Sequence, residues 1–337
     1  MRVWNVGIAK CIFTAAVLVT FPAEAADDPA LARVATIALK GPVGGLDHLA
    51  LDPGRARLFV ANTAGGTLDV VDLKSGKLWK QIPGQGRIRG VAYSPAADRV
   101  FVGNGMGGVC NTFDGDDLAL IKSVPLGVDA DNVRYNPKTQ RIYVVHADAE
   151  LAVIDARDFS LRAPIPLPQS VGGFQLEAGR PRMYVNSKGG EVVVIDADKD
   201  QVIGRFPVAP ATDNSALAID ETQRRLFVGC RQAPALVVMD SDDGKVVARL
   251  PIPGDVDDVA FDAKRKLVLI SCGEGSIAVV RQIDADHYET LATVATVGGA
   301  RTSVFDADRG RLYLGAPRRA DRPSQENPEV WVYQARP

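Results

Sequence analysis

Seven near-copies of one six-residue segment predict an all-β chain: a seven-bladed β-propeller, four antiparallel strands per blade, its last blade closed by the N-terminal strand. The segment is RLFVAN at 57–62, and it returns as RVFVGN (99–104), RIYVVH (141–146), RMYVNS (182–187), RLFVGC (225–230), KLVLIS (266–271) and RLYLGA (311–316). The steps between first residues are 42, 42, 41, 43, 41 and 45 positions, and a fixed period near 40 marks a repeat architecture. Within each period, short β-rich runs alternate with Gly, Pro and Asp turns, which indicates antiparallel sheet. The seventh period is one strand short, and a spare strand stands at the other end of the chain.

The first repeat shows the elements in order. LDHLALD (46–52) alternates and ends at Pro53-Gly54; RLFVAN follows, then a turn over Ala64-Gly65-Gly66. TLDVVD (67–72) leads to a turn at Ser75-Gly76, and LWKQIP (78–83) is the fourth strand. The last Asp of the third strand recurs as Asp72, Asp114, Asp155, Asp196 and Asp240. An Asp in that place accepts backbone N–H bonds and opens the turn, which makes it structural. The same register aligns Cys110 with Leu68, Leu151, Val192 and Leu236, so Cys110 is expected to be a small buried hydrophobe. Trp79 and Trp331 fall in strands where core or blade-edge positions are expected. In the seventh repeat RLYLGA is followed by VWVY (330–333) and little else, while Arg33–Leu39 resembles the fourth strand Lys245–Pro251. The N-terminal strand is therefore expected to close the ring, which removes two exposed sheet edges.

Composition narrows the classes. The chain has 337 residues and a formal net charge of −2, with a pI near 6.0. A generic nucleic-acid surface needs a basic excess to neutralise phosphates, so none is expected. Arg2 and Lys10, the short apolar run Cys11–Phe21 and the small-x-small Ala23-Glu24-Ala25 read as a secretory leader cut after Ala25. Residues 26–337 are expected to form the single propeller, exported to a periplasm or secreted, with no membrane span after cleavage, and monomeric. Three cysteines then remain, Cys110, Cys230 and Cys272. The odd number leaves at least one thiol free; a Cys230–Cys272 pair stays open, with buried thiols favoured.

The second and third strands resemble the YVTN family of β-propeller repeats, best seen in LAVID (151–155) and VVVID (192–196). The segments LDHLALD (46–52), DADNVRY (129–135), RLFVGCR (225–231), GDVDDVAFD (254–262) and GARTSVFD (299–306) look like its secreted, YncE-like branch. The resemblance implies an exported seven-bladed propeller and carries over no agreed catalytic set. Lactonases and metal-dependent lyases exist among wider propeller relatives, which is analogy alone.

Candidate site residues come from the places where repetition fails. First strands line a propeller's channel, and antiparallel pairing puts their entry on the same face as the exit of the second strands. At that face the aligned positions differ from blade to blade: Asp47, His48, Arg89, Asp131, Asn132, Asp257, Asp258 and Arg301 on first strands, His146 at a second-strand end, and Arg231 and Glu274 just beyond. Guanidinium forks suit a carboxylate or phosphate. A His among carboxylates could hold a divalent metal, and a neutral His48 or His146 could act as a general base. No Ser-His-Asp order, CxxC pair or Gly-rich phosphate loop is present. The expected function is a binding or scaffold propeller that engages a small anionic ligand or a periplasmic protein at the channel mouth. The alternative is a lactonase-like hydrolase or lyase, with or without metal assistance, acting on a carboxylate-bearing substrate. The stretch 317–329 replaces a four-residue connection at 63–66 and is expected as a surface loop on that face, a lid or a partner contact.

Overall fold

The computed structural model describes Met1 and residues 30–127, 129–146 and 149–336; the expected leader lies outside these residues. Seven four-stranded antiparallel sheets form the blades. Blades 1 to 6 each use four consecutive strands, starting with Leu49–Asp52, Arg57–Asn62, Thr67–Asp72 and Lys77–Ile82 in blade 1. Blade 7 is built from Ser303–Asp306, Arg311–Ala316 and Glu329–Ala335, and its outermost strand is Leu31–Ala38 from the other end of the chain. That strand pairs antiparallel with Glu329–Ala335, Leu31 opposite Ala335 and Ala38 opposite Glu329. The ring closes as the sequence predicts.

The repeat is monotonous because each blade must bury the same positions. Every residue of Arg57–Asn62 is buried, because the second strand is sandwiched on both faces by neighbouring blades. The core is a chain of inter-blade clusters. Phe59, Leu68 and Val70 of blade 1 pack on Ile88, Val91 and Val102 of blade 2. At the closure Ile37, Val330 and Val332 of blade 7 pack on Leu58 and Val60 of blade 1. Each such side chain contributes about 1.5–3 kcal/mol by leaving water. The fourth strands lie at the rim, where Trp79, Leu120 and Ile203 are exposed; Trp331, one strand in, is buried.

Polar repeats have equally local causes. Asp72, Asp114, Asp155, Asp196 and Asp240 each accept a backbone N–H two residues on, at 2.7–3.1 Å. In blades 1 to 5 the Arg that opens the second strand pairs with a carboxylate, as in Arg57–Asp52 at 2.7 Å, Arg99–Asp114 at 3.1 Å and Arg225–Asp240 at 2.7 Å; in blade 7 Arg311 donates to the Gln334 side chain instead. Cys110, Cys230 and Cys272 are buried free thiols, so Cys230 and Cys272 do not pair. Burial pushes all three up to about 12.

Candidate functional site

The charged face is positioned by bulges. Where the first strand of blades 2 to 6 enters its sheet, the pairing slips: at Ile88/Val91, Ala130/Val133, Val171/Phe174, Asn214/Ala216 and Val256/Asp258. A bulge adds an unpaired residue and re-aims its side chain. Arg89, Asp131, Asn132 and Asp257 sit in these slips, which is why repetition fails there. Two glycines make room. A Cβ on Gly90 would stand 1.9 Å from the carbonyl oxygen of Asp131, and one on Gly103 would stand 2.5 Å from it. Blade 3 can bring Asp131 inward only because blade 2 has no side chain at those points.

At the centre is His48, 8% exposed. Its Nε2 lies 3.7 Å from Asp47 Oδ1 and 3.8 Å from Asp131 Oδ1, and its Nδ1 lies 3.7 Å from Asp258 Oδ2. Asp258 itself accepts the Ser303 N–H at 2.8 Å, tying blade 6 to blade 7. Burial pulls the His48 imidazole down, but Asp258, Asp47 and Asp131 outweigh it and hold it above its ordinary value. Burial pushes the Asp47 carboxyl up, against the opposing charges of His48 and Arg89.

The arginines of this mouth are committed to aspartates. Arg89 reaches Asp131 Oδ2 at 2.8 Å and Asp47 Oδ2 at 3.7 Å, and also binds Asp129. Arg301 spans Asp255 at 2.9 Å and Asp257 at 3.0 Å. Arg231 holds Asp257 at 2.6 Å and donates to the Val256 carbonyl at 2.8 Å. Thus Asp47, His48, Arg89, Asp131, Arg231, Asp257, Asp258 and Arg301 converge. Glu274 instead accepts the Gly254 N–H at 2.8 Å and pins a turn. His146 pairs with Glu150 at 3.0 Å, one strand out from the channel, and does not join His48. Asn132 is buried beside Asp131. The 317–329 loop is tied down: Gly44 donates to the Arg318 carbonyl at 3.0 Å and Arg319 to that of Gly298 at 3.2 Å. Its first residues wall a side cavity of about 600 Å³ together with residues 43–46 and Arg301.

Sequence reasoning missed three residues. Asp129 and Asp255 lie in loops just before the bulges, where blade alignment has no register. Arg134 had a readable signal. At the channel-facing position two beyond the first-strand entry, the blades carry Ala50, Ala92, Arg134, Gln175, Ala218, Ala260 and Val304. An arginine stands where most blades carry a small residue. All seven line one central cavity of about 700 Å³. Its lining residues nearest the charged face are His48 and Asp258, and at the other end it reaches Pro53, Pro95 and Glu221. The Arg134 guanidinium donates to its neighbouring Val133 carbonyl at 2.8 Å and stands 5.6 Å from the Phe174 ring centre. Among the described residues no carboxylate forms an ion pair with it. Burial pulls it below the ordinary guanidinium value, partly offset by the charge of Asp258, and an arginine stays protonated regardless.

The fold and this channel define the class: a closed seven-bladed β-propeller. Among solved structures it is similar to hydrazine synthase of Kuenenia stuttgartiensis, with a TM-score of 0.75 and 16% identity over 87% of this chain and 96% of that one. It is also similar to the WD40 repeats of RRP9, with a TM-score of 0.76 and 14% identity over 90% of this chain and 99% of that one. At those identities the likeness is one of fold. No family model matches the chain, and no curated protein matches it.

Proposed function

We propose that this chain is a binding propeller whose ligand is a small organic anion with an apolar body, held inside the central channel with its carboxylate or phosphate on Arg134. The observation that carries the reading is Arg134 itself, a guanidinium without an ion-pair partner among the described residues, inside a cavity of about 700 Å³. That volume suits a small molecule, and the lining mixes apolar side chains with the carboxylates of Glu221, Asp306 and Asp308 at the end far from His48. Leu49, Leu51, Val91, Leu176, Ile219 and Phe261 supply apolar wall, and Gln175 and Ser303 supply polar points. The anionic class is the one the sequence suggests, but the mouth arginines that suggest it are each neutralised by aspartates, so the anchor moves inward. The leader-like N-terminus and the YVTN-like repeats support placing this binding outside the cytoplasm.

The test is isothermal titration with benzoate, phenylacetate and hexanoate as probes. A charge-assisted hydrogen bond contributes about 1.5–3 kcal/mol, so Arg134→Met should weaken binding roughly tenfold to a hundredfold. Equal affinity in the variant would remove Arg134 from the site. A hydrolase or lyase reading is favoured by one observation: His48 lies at the charged end of the same channel, 3.7 Å from Asp258. It predicts turnover of lactones that His48→Ala abolishes while the fold survives.

A further inference from the structure

We infer that Asp47, His48 and Asp131 form a binding site for one divalent transition-metal ion, held ready by Arg89 and Asp258. His48 is 8% exposed, and its ring nitrogens stand 3.7 to 3.8 Å from the nearest carboxylate oxygens. Its distances of 3.7 and 3.8 Å to Asp47 Oδ1 and Asp131 Oδ1 are too long for hydrogen bonds. They are, however, the lengths expected between two donors that share a cation. With one donor atom from each residue, the three lie within 4.8 Å of one another. A centre common to donors so spaced sits roughly 2.2–2.4 Å from each, within or close to the metal–ligand range for divalent ions.

The surroundings orient these donors. Arg89 engages the outer oxygens, Asp131 Oδ2 at 2.8 Å and Asp47 Oδ2 at 3.7 Å. The inner oxygens are thereby turned toward His48. Asp131 Oδ1 is buried and accepts no hydrogen bond, a cost that a cation would remove. On the other side of the imidazole, Asp258 faces Nδ1, itself fixed by the Ser303 N–H. A carboxylate behind a metal-binding His is the usual way such a ring is oriented and made more basic. Charge agrees as well. Six carboxylates, Asp47, Asp129, Asp131, Asp255, Asp257 and Asp258, meet three guanidinium groups, Arg89, Arg231 and Arg301, and the His48 ring in their ion pairs. One imidazole with two carboxylates suits manganese or zinc better than calcium, which takes oxygen donors. Three protein donors leave positions for water or a ligand arriving along the channel.

The experiment is calorimetric titration of the full chain, stripped with EDTA, with MnCl₂ and with ZnCl₂, alongside manganese electron paramagnetic resonance. One ion per chain is expected. Asp47→Asn, His48→Ala and Asp131→Asn should each abolish binding or weaken it at least about tenfold, and Arg89→Ala should cost about 10–100-fold through lost orientation. Arg134→Met should bind the ion as wild type does, which separates this site from the anion site. Circular-dichroism melts identify any variant that has unfolded, and Asp47→Asn, which keeps the size and shape of the side chain, is the variant on which the outcome rests. A wild-type chain that takes up neither ion at millimolar concentration overturns the proposal, with His48 as an imidazolium then supplying the charge. Equal binding by wild type and folded Asp47→Asn overturns it too.

Discussion

Gly90 shows how much of the site depends on single residues outside it. Its missing Cβ is what lets the Asp131 carbonyl approach, at a spot where any side chain would fall 1.9 Å away. Gly90→Ala is therefore expected to destabilise the chain by about 1–3 kcal/mol through overpacking, and to disturb the Asp131–His48 spacing. A thermal melt checks the first effect; an unchanged melting temperature would mean that blade 2 yields more easily than the geometry implies. The three thiols offer a second check at this scale. Burial pushes each up to about 12, so the thiolate is scarce near pH 8 and the sulfurs are shielded. In a chain lacking residues 1–25, Ellman's reagent should label none of Cys110, Cys230 and Cys272 while folded and all three in guanidinium. Fast labelling of the native chain would place one of them at the surface. Residue identity was the least legible level in the sequence. Arg134 could be found only by asking what breaks the repeat inside the strands as well as at their ends. His146 sits at a matching strand end, yet it belongs to a second strand and faces Glu150.

Strands and turns were the most legible, because each recurs for the same physical reason. The third-strand Asp opens a turn in five blades, and several of these carboxyls are held below their ordinary range: Asp72 by Ser75, Asp155 by Arg157 and Asp196 by Lys199. In the turn after the third strand of blade 5, Arg180 and Arg224 bring Asp242 down to about 2. A group with a depressed folded value stabilises the fold above its unfolded value, about 4, and that contribution is lost as pH falls through the folded value. The contribution of these turn carboxylates should thus be intact above about pH 5 and be lost between about pH 4 and 2, where the melting temperature drops. An equal melting temperature at either end of that lower window would show the turns to be passive. The bulges at the first-strand entries are the elements the sequence hid. Alternation reads the same through them, and only the pairing shows that a residue has slipped out of register.

At the scale of the whole molecule, closure by Leu31–Ala38 converts an open stack of sheets into a ring. Removing residues 26–38 should expose the edge Glu329–Ala335, strip Ile37 from the seam with blade 1, and yield a chain that aggregates or melts broadly. A sharp, wild-type melt would show that six sheets and a three-stranded seventh suffice. The ring was legible because its period is a property of the entire chain. Its interior was not, because the channel emerges only when seven first strands are brought side by side. In that channel Arg134 is proposed to hold a small anion. The most direct measurement is a crystal structure with para-bromobenzoate, located by the anomalous signal of its bromine. A single strong peak is expected inside the channel, with the carboxylate on the Arg134 guanidinium. A peak at the Arg89 or Arg301 side of the mouth, or a channel that holds only water, would contradict it.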